Sequence, residues 1–330
     1  MTTIEKDIDL RSETEVAAPE VAIETFDLRK SYTTGFWQNQ RIESLKGCTL
    51  RVDRGEIFGL LGMNGAGKTT LLKSLLGIAR PTGGKAVLLG KPLGDREVKQ
   101  RIGYLPENPY FYDYVTGWEL LEYTADIFQL PSNVKRQRIP ALLDLVGLTK
   151  AAAKKKQLRQ YSKGMLQRIG MAQALINDPD LVFLDEPMSG LDPVGRKQMR
   201  EIILSLNDAG KTVFFNSHVL NDVEKICHRI AILSRGELIA CGTLEELLTD
   251  SKRGFYVKGV GGNPEILERW LTDCNYDEFG WNGWLQGEVQ EFLASLALME
   301  GEIVELKRAR ISLEDYFMLQ MQERGISMST

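Results

Sequence analysis

The octapeptide "GMNGAGKT", Gly62 to Thr69, constrains this chain more than any other stretch. It fits G-x-x-x-x-G-K-[ST] and stands between an apolar run read as a strand, "GEIFGLLG", and a segment read as a helix. That strand, loop and helix context is the one in which the pattern carries chemistry. Glycines let successive backbone N–H groups curl round phosphate oxygens, Lys68 sets a cation on the outer phosphates, and the Thr69 hydroxyl suits Mg²⁺. A glycine-rich turn with a capping lysine is the plain alternative.

A phosphate loop alone does no chemistry, and "LVFLDEP" supplies what it lacks. An apolar strand ending in two acids presents Asp185 to a metal and Glu186 to an attacking water. Taken without the phosphate loop, the same pair is a common helix-capping loop. A further apolar run, "KTVFFNSH", ends at His218, about thirty residues after Glu186. Polar residues at the ends of such runs mark the carboxyl edge of a sheet, where sites lie. The chain has two histidines, and the other, His228, is read as a satisfied residue on an amphipathic helix.

The stretch "YSKGMLQRIGMAQAL" opens a helix at Ser162 and Gly164, whose first N–H groups attract an anion. Lys163 and Arg168 add charge. Just upstream, Lys154, Lys155, Lys156 and Arg159 form a basic run, equally readable as a solvated face. A third unusual stretch, "GYLPENPYFYDYVTG", places Tyr104, Tyr110, Phe111, Tyr112 and Tyr114 around two prolines and Glu107. Its proline and asparagine break both the 3.6 and the 2.0 period, so it reads as a loop whose aromatics touch something else, with core packing that holds the following helical segment on the sheet as the alternative for some of them.

Bulk properties narrow the function classes. The 330 residues, at about 150 per domain, suit two domains. A formal charge of -4 gives no general electrostatic reason to bind nucleic acid. The four cysteines, Cys48, Cys227, Cys241 and Cys274, have neither disulfide-framework nor zinc spacing and suit reduced cytosolic thiols. No apolar run approaches the roughly 20 residues of a membrane span, and "MTTIEKDIDLRSETE" is too charged for a secretory signal.

Residues 1–18 read as a flexible polar tail, 19–250 as a nucleotide-binding unit with a helical portion at about 108–170, and 251–330 as a small accessory α+β domain. Within the last unit "FYVKGV" reads as a strand, a helix starts at Pro264, and Ser312 with Asp315 caps a final helix.

Together these motifs resemble the nucleotide-binding subunit of an ABC transporter over about residues 20–245. "YSKGMLQ" is similar to the family signature. Its Lys163, Met165 and Leu166 depart from the commoner Ser-Gly-Gly-Gln form, as in exporters that work with ABC-2-type permeases. "SGLD" at Ser189 to Asp192 looks like the D-loop, His218 like the switch histidine, and the terminal "SLEDYF" like the end of the exporters' C-terminal appendage.

The resemblance implies an α/β P-loop cassette with a mixed sheet and a helical subdomain. Its expected ligand is ATP, held by Tyr32 on the adenine and by Gly62, Asn64, Gly65, Ala66, Gly67, Lys68, Thr69 and Thr70 on the phosphates. Ser162, Gly164 and Gln167 would act from a second, head-to-tail copy or similar cassette. It implies Mg²⁺ on Thr69, Asp185 and Glu107, with Glu186, His218 and Lys68 catalytic. Glu107 stands where the family usually has glutamine, which adds a negative charge near the γ-phosphate. The implied partner is a multi-span permease whose coupling helix meets the aromatic stretch, at the cytoplasmic face of the membrane and without nucleic acid. An importer subunit, or a soluble ATPase acting on ribosomes or DNA, shares the nucleotide residues. A P-loop kinase or GTPase would leave "YSKGMLQR" unexplained.

Overall fold

The computed structural model describes residues 20–34, 40–249 and 254–325. The expected tail at 1–18 therefore lies outside the described residues. In chain order the elements are β1 (Val21–Thr34), β2 (Gln40–Asp53), β3 (Ile57–Leu61), α1 (Lys68–Leu75), β4 (Gly83–Leu88), β5 (Lys91–Pro92), α2 (Arg96–Gln100) and β6 (Ile102–Leu105). There follow α3 (Gly117–Ile127), α4 (Ser132–Leu145), α5 (Lys150–Lys155), α6 (Lys163–Ala174), β7 (Leu181–Asp185), α7 (Pro193–Asp208), β8 (Thr212–Ser217) and α8 (Leu220–Ile226). Then come β9 (Arg229–Ser234), β10 (Glu237–Thr243) and α9 (Leu244–Leu248). The last part is β11 (Phe255–Val260), α10 (Pro264–Trp270), β12 (Leu271–Asp277), β13 (Gly280–Leu285), α11 (Val289–Leu298), β14 (Glu302–Arg308) and α12 (Leu313–Glu323).

The central sheet runs β10-β9-β3-β8-β7-β6, parallel except for β10. Its inner strands read as unbroken apolar runs because both faces are covered. Alternate residues of one strand enter different cores. Ile57, Leu61, Val182, Leu184, Val213 and Phe215 pack against the helices, whereas Phe58, Leu60, Leu181, Phe183 and Phe214 pack toward the antiparallel sheet β2-β1-β4-β5. There Phe58 and Phe214 stack at 5.6 Å between centroids. This two-sided burial leaves the strands little freedom to slide, since a one-residue slip would exchange the two sets. It also levels the carboxyl ends: Leu61 pairs beside Ser217, and Asp185 beside Asn216.

Two local expectations change. Residues 103–105 of the aromatic stretch belong to β6, the edge strand pairing with β7 in parallel. Only from Pro106 is the chain irregular, because strand pairing outweighs the weak local pattern. His228 lies after α8 rather than on it, and its Nδ1 accepts the Ile57 N–H at 3.1 Å.

Residues 255–308 form a β-α-β-β-α-β plait, an antiparallel sheet ordered β12-β13-β11-β14 with α10 and α11 on one face. Trp281 centres it, edge-on to Phe292 at 6.1 Å, with its indole N–H donating to Gly261 O at 2.7 Å. Gly259 is what lets the indole lie flat against the strand, since a Cβ there would meet Trp281 Cζ2 at 2.3 Å. The final helix α12 leaves this plait. Its Leu313, Phe317 and Met321 join the cassette's helical core with Val223, Ile226 and Leu248.

β6 can approach α6 only because residue 103 is glycine: a Cβ would stand 2.2 Å from Ala174 O. Gly103→Ala is expected to cost about 1–3 kcal/mol through overpacking, read as a lower urea midpoint with unchanged slope. An unchanged midpoint would mean that α6 can retreat from the sheet.

Candidate functional site

β3 delivers the chain at Leu61 into the loop of residues 62–67, and α1 begins at Lys68. Gly65 and Gly67 take left-handed backbone (φ 79° and 108°), and a Cβ on Gly67 would strike Ser44 O at 2.6 Å. The loop is thus a cradle that side chains would fill. With Ser44, Glu107, Glu186 and His218, residues 63–70 line a cleft of about 280 Å³. Ser44, not anticipated, donates to Thr70 Oγ1 at 2.8 Å and pins β2 to α1.

Lys68 is buried, and Nζ donates to Gly62 O at 2.7 Å. Burial pushes its amine below the usual lysine range, while the nearby Glu186 and Asp185 carboxylates oppose that shift. Thr69 Oγ1 stands 3.4 Å from Asp185 Oδ1 at the end of β7. On the far side of Asp185, burial and its charge raise the Tyr104 phenol to about 12.

Glu186 is the strained residue of the site. It has φ 50° without being glycine, a conformation that costs about 1–3 kcal/mol unless the surroundings hold it. They do. Its N–H donates to Asn216 Oδ1 at 2.7 Å, and Asn216 Nδ2 donates to Asp185 Oδ1 at 2.6 Å. Its carboxylate meets His218 Nδ1 at 2.8 Å through Oε2, and stands 3.7 Å from Lys68 Nζ through Oε1. The fully buried Asn216 therefore fixes both acids, and sequence reasoning missed it. The one available signal was an amide at the end of an apolar strand, two residues before His218.

Six expected residues do not line the cleft; two of them, Gly62 and Asp185, bond to Lys68 and Thr69, which do. Of the other four, Ser162 caps α6, accepting the Met165 N–H at 3.3 Å, and is otherwise exposed; Gly164 sits in the first turn of that helix. Tyr32 lies on β1 opposite Ile42, under the Lys30 ammonium at 4.7 Å. Gln167 is buried, and its amide donates to Pro187 O at 3.2 Å. That bond steadies the turn after Glu186.

The aromatic stretch divides. Phe111 is buried beneath Gly170, a ring atom 3.5 Å from where a Cβ would be, and belongs to the core. Tyr110 is 94% exposed, and Tyr112 and Tyr114 are 73% exposed. The basic run is exposed, and two of its residues lie over aromatic rings: Lys154 at 4.1 Å over Trp118, and Arg159 at 5.3 Å over Tyr114.

The family model described as "ABC transporter" matches residues 45–189. The chain is 63% identical over 305 residues to ABC transporter ATP-binding protein all4389 of Nostoc sp., covering 92% of this chain and 91% of that protein. It is 37% identical over 323 residues to the bacitracin transport ATP-binding protein BcrA of Enterococcus faecalis, covering 93% and 99%. The dimeric structure of MJ0796, a bacterial ABC transporter cassette, superposes with a TM-score of 0.61 at 25% identity, covering 67% of this chain and 98% of that one.

Asn216→Ala would leave the buried Glu186 N–H unsatisfied and leave Asp185 Oδ1 only the Thr69 hydroxyl at 3.4 Å. At about 1–3 kcal/mol for an unsatisfied buried group, a loss of about that size is expected in urea unfolding. A loss below 1 kcal/mol would mean that water replaces the amide and that the bridge is not what holds Glu186.

Proposed function

The chain belongs to the ABC transporter ATP-binding family, and from that premise we propose that it hydrolyses ATP to drive export through a separate ABC-2-type permease. The cassette would be residues 19–250, with 251–330 an accessory domain. The observation that carries the reading is the array Asp185, Asn216, Glu186 and His218 beside the Lys68 cradle.

In this reading the backbone of residues 62–70 and Lys68 hold the phosphates, and Tyr32 receives the adenine. Glu186 accepts a proton from the water that attacks the γ-phosphorus, ADP departs, and His218 keeps the carboxylate turned toward that water. Among the described residues no group of three His, Cys, Asp or Glu side chains could hold a metal alone. A hydroxyl and a carboxylate beside a phosphate cradle nevertheless suit Mg²⁺, which binds through few protein oxygens plus phosphates. Thr69 and Asp185 would hold it, with Glu107 on the cleft wall, and when bound it neutralises phosphate charge.

Ser162 and Gly164 do not line the cleft of their own chain, which supports their acting on the cleft of a second copy or similar cassette, as a head-to-tail pair provides. Among the described residues no helix is long and apolar enough to cross a membrane. Attachment to the cytoplasmic face would therefore come through the permease, met by the exposed Tyr110, Tyr112 and Tyr114. Export is supported by the departures in "YSKGMLQ" and by the relative that transports bacitracin.

Glu186→Gln is expected to lower ATP turnover by about 10²- to 10⁴-fold while ATP still binds. Near wild-type turnover in single-cycle assays would remove Glu186 from the role. Glu107→Gln, by contrast, should keep substantial turnover with a shifted Mg²⁺ dependence.

Tyr110→Ala and Tyr112→Ala should leave melting temperature and soluble ATPase activity unchanged yet reduce co-purification with membranes. Phe111→Ala should destabilise by about 3–5 kcal/mol. The docking face is elsewhere if both tyrosine variants co-purify as the wild type does.

A further inference from the structure

The helix that follows His218 is too short to place itself. α8 has seven residues, where an isolated helix needs about 12–15 to be even marginal in water, so its position is set by what grips it. One residue, Val219, separates it from His218, and the Ser217 hydroxyl accepts the Val219 N–H at 3.0 Å. His218 thus stands between the end of β8, where its N–H donates to Glu186 Oε2 at 3.3 Å, and α8, whose orientation sets the backbone on its carboxyl side.

Two grips come from opposite sides. Asp222, buried in α8, pairs with Arg200 of α7, the helix opened by "SGLD". The other grip is the C-terminal segment. Arg310 reaches Glu224 Oε1 at 3.1 Å, and the Leu313 N–H donates to Glu224 Oε2 at 3.4 Å. Beneath these bonds Leu313, Phe317 and Met321 of α12 pack in one core with Val223 and Ile226 of α8. Phe317 also walls a crevice of about 360 Å³ whose other sides include Gly62, Leu220 and His218. The last helix thus reaches the rim of the phosphate loop.

We infer that the segment Arg310 to Met321 is a positioning clamp for the switch histidine: it seats α8, and through α8 it sets the His218 imidazole against Glu186. None of its residues touches the nucleotide cleft. The inference rests on the ATPase reading for its consequence in turnover, but the placement of the ring can be read without hydrolysis.

The two histidines provide the probe: both border α8, but His228, two residues past its end, is fixed to β3 separately, its N–H donating to Ile57 O at 3.0 Å and its Nδ1 accepting the Ile57 N–H at 3.1 Å. In the full chain labelled with ¹⁵N-histidine, the two imidazoles are assigned with a His228→Gln variant. Phe317→Ala is expected to shift or broaden the His218 ring resonances and leave those of His228 in place. It should lower kcat about tenfold at unchanged KM for ATP, because misplacing a reacting group loses rate more than binding. Phe317→Leu, which refills most of the volume, should restore both readouts. Should Phe317→Ala fail to fold, Arg310→Ala changes a half-exposed ion pair instead and should displace the His218 signals alone. A folded variant of either kind with His218 resonances at their wild-type positions overturns the clamp. So does movement of both histidines together, which would mark general loosening. Absence of ATP hydrolysis by the wild-type chain would remove the ATPase reading while the resonance result still stood.

Discussion

Two hydrogen bonds from one amide side chain hold the centre of this molecule. Asn216 accepts from the Glu186 backbone and donates to the Asp185 carboxylate, which ties β7 to β8 at the level where both strands end. Without that tie Glu186 would relax from a backbone conformation that only glycine adopts freely. The carboxylate would then swing away from His218 and from the cradle below it. Because Asn216 is fully buried, its bonds are not diluted by water, and each is correspondingly costly to lose.

That precision depends in turn on the sheet. Each inner strand contributes alternate side chains to two separate cores, so it is gripped from both faces, and neither face can yield without disturbing the other. Phe214 illustrates this: it stacks on Phe58 and tilts against Phe183 at the same 5.6 Å, which locks three neighbouring strands in register. The placement of Asp185, Glu186 and His218 follows from close packing that begins several residues earlier in each strand.

What could be read from the chain before folding was whatever is written in local order. The phosphate loop, the buried strands with their terminal acids, and the caps at Ser162 and Ser312 all declare themselves over a few residues. The misreadings share a different cause. Gly103 and Tyr104 belong to a strand because β7 lies beside them. The strands β12 and β14 are short and partly exposed, so their alternation is faint in sequence, and only pairing makes the plait. Asn216 looked like any polar residue at a strand end, since its partners lie about thirty residues upstream. Among the aromatics, sequence could identify the group but not its division, which comes from where the fold lays each ring: Phe111 packs against α6 at Gly170, whereas Tyr110, Tyr112 and Tyr114 are exposed.

The neck of the plait has a consequence for how such chains can vary. Thr249 bridges to Arg310, and the Ile311 N–H donates to Leu248 O at 3.0 Å, so the chain leaves the cassette and returns to it at one point. A segment whose ends already meet adds little loop-closure entropy whatever its length, since each doubling costs only about 0.6 kcal/mol. The intervening unit can therefore be lengthened, exchanged or deleted between chains at small thermodynamic cost, provided the returning helix still follows it. Modularity of this kind lets one motor carry different attachments while its own folding problem stays the same.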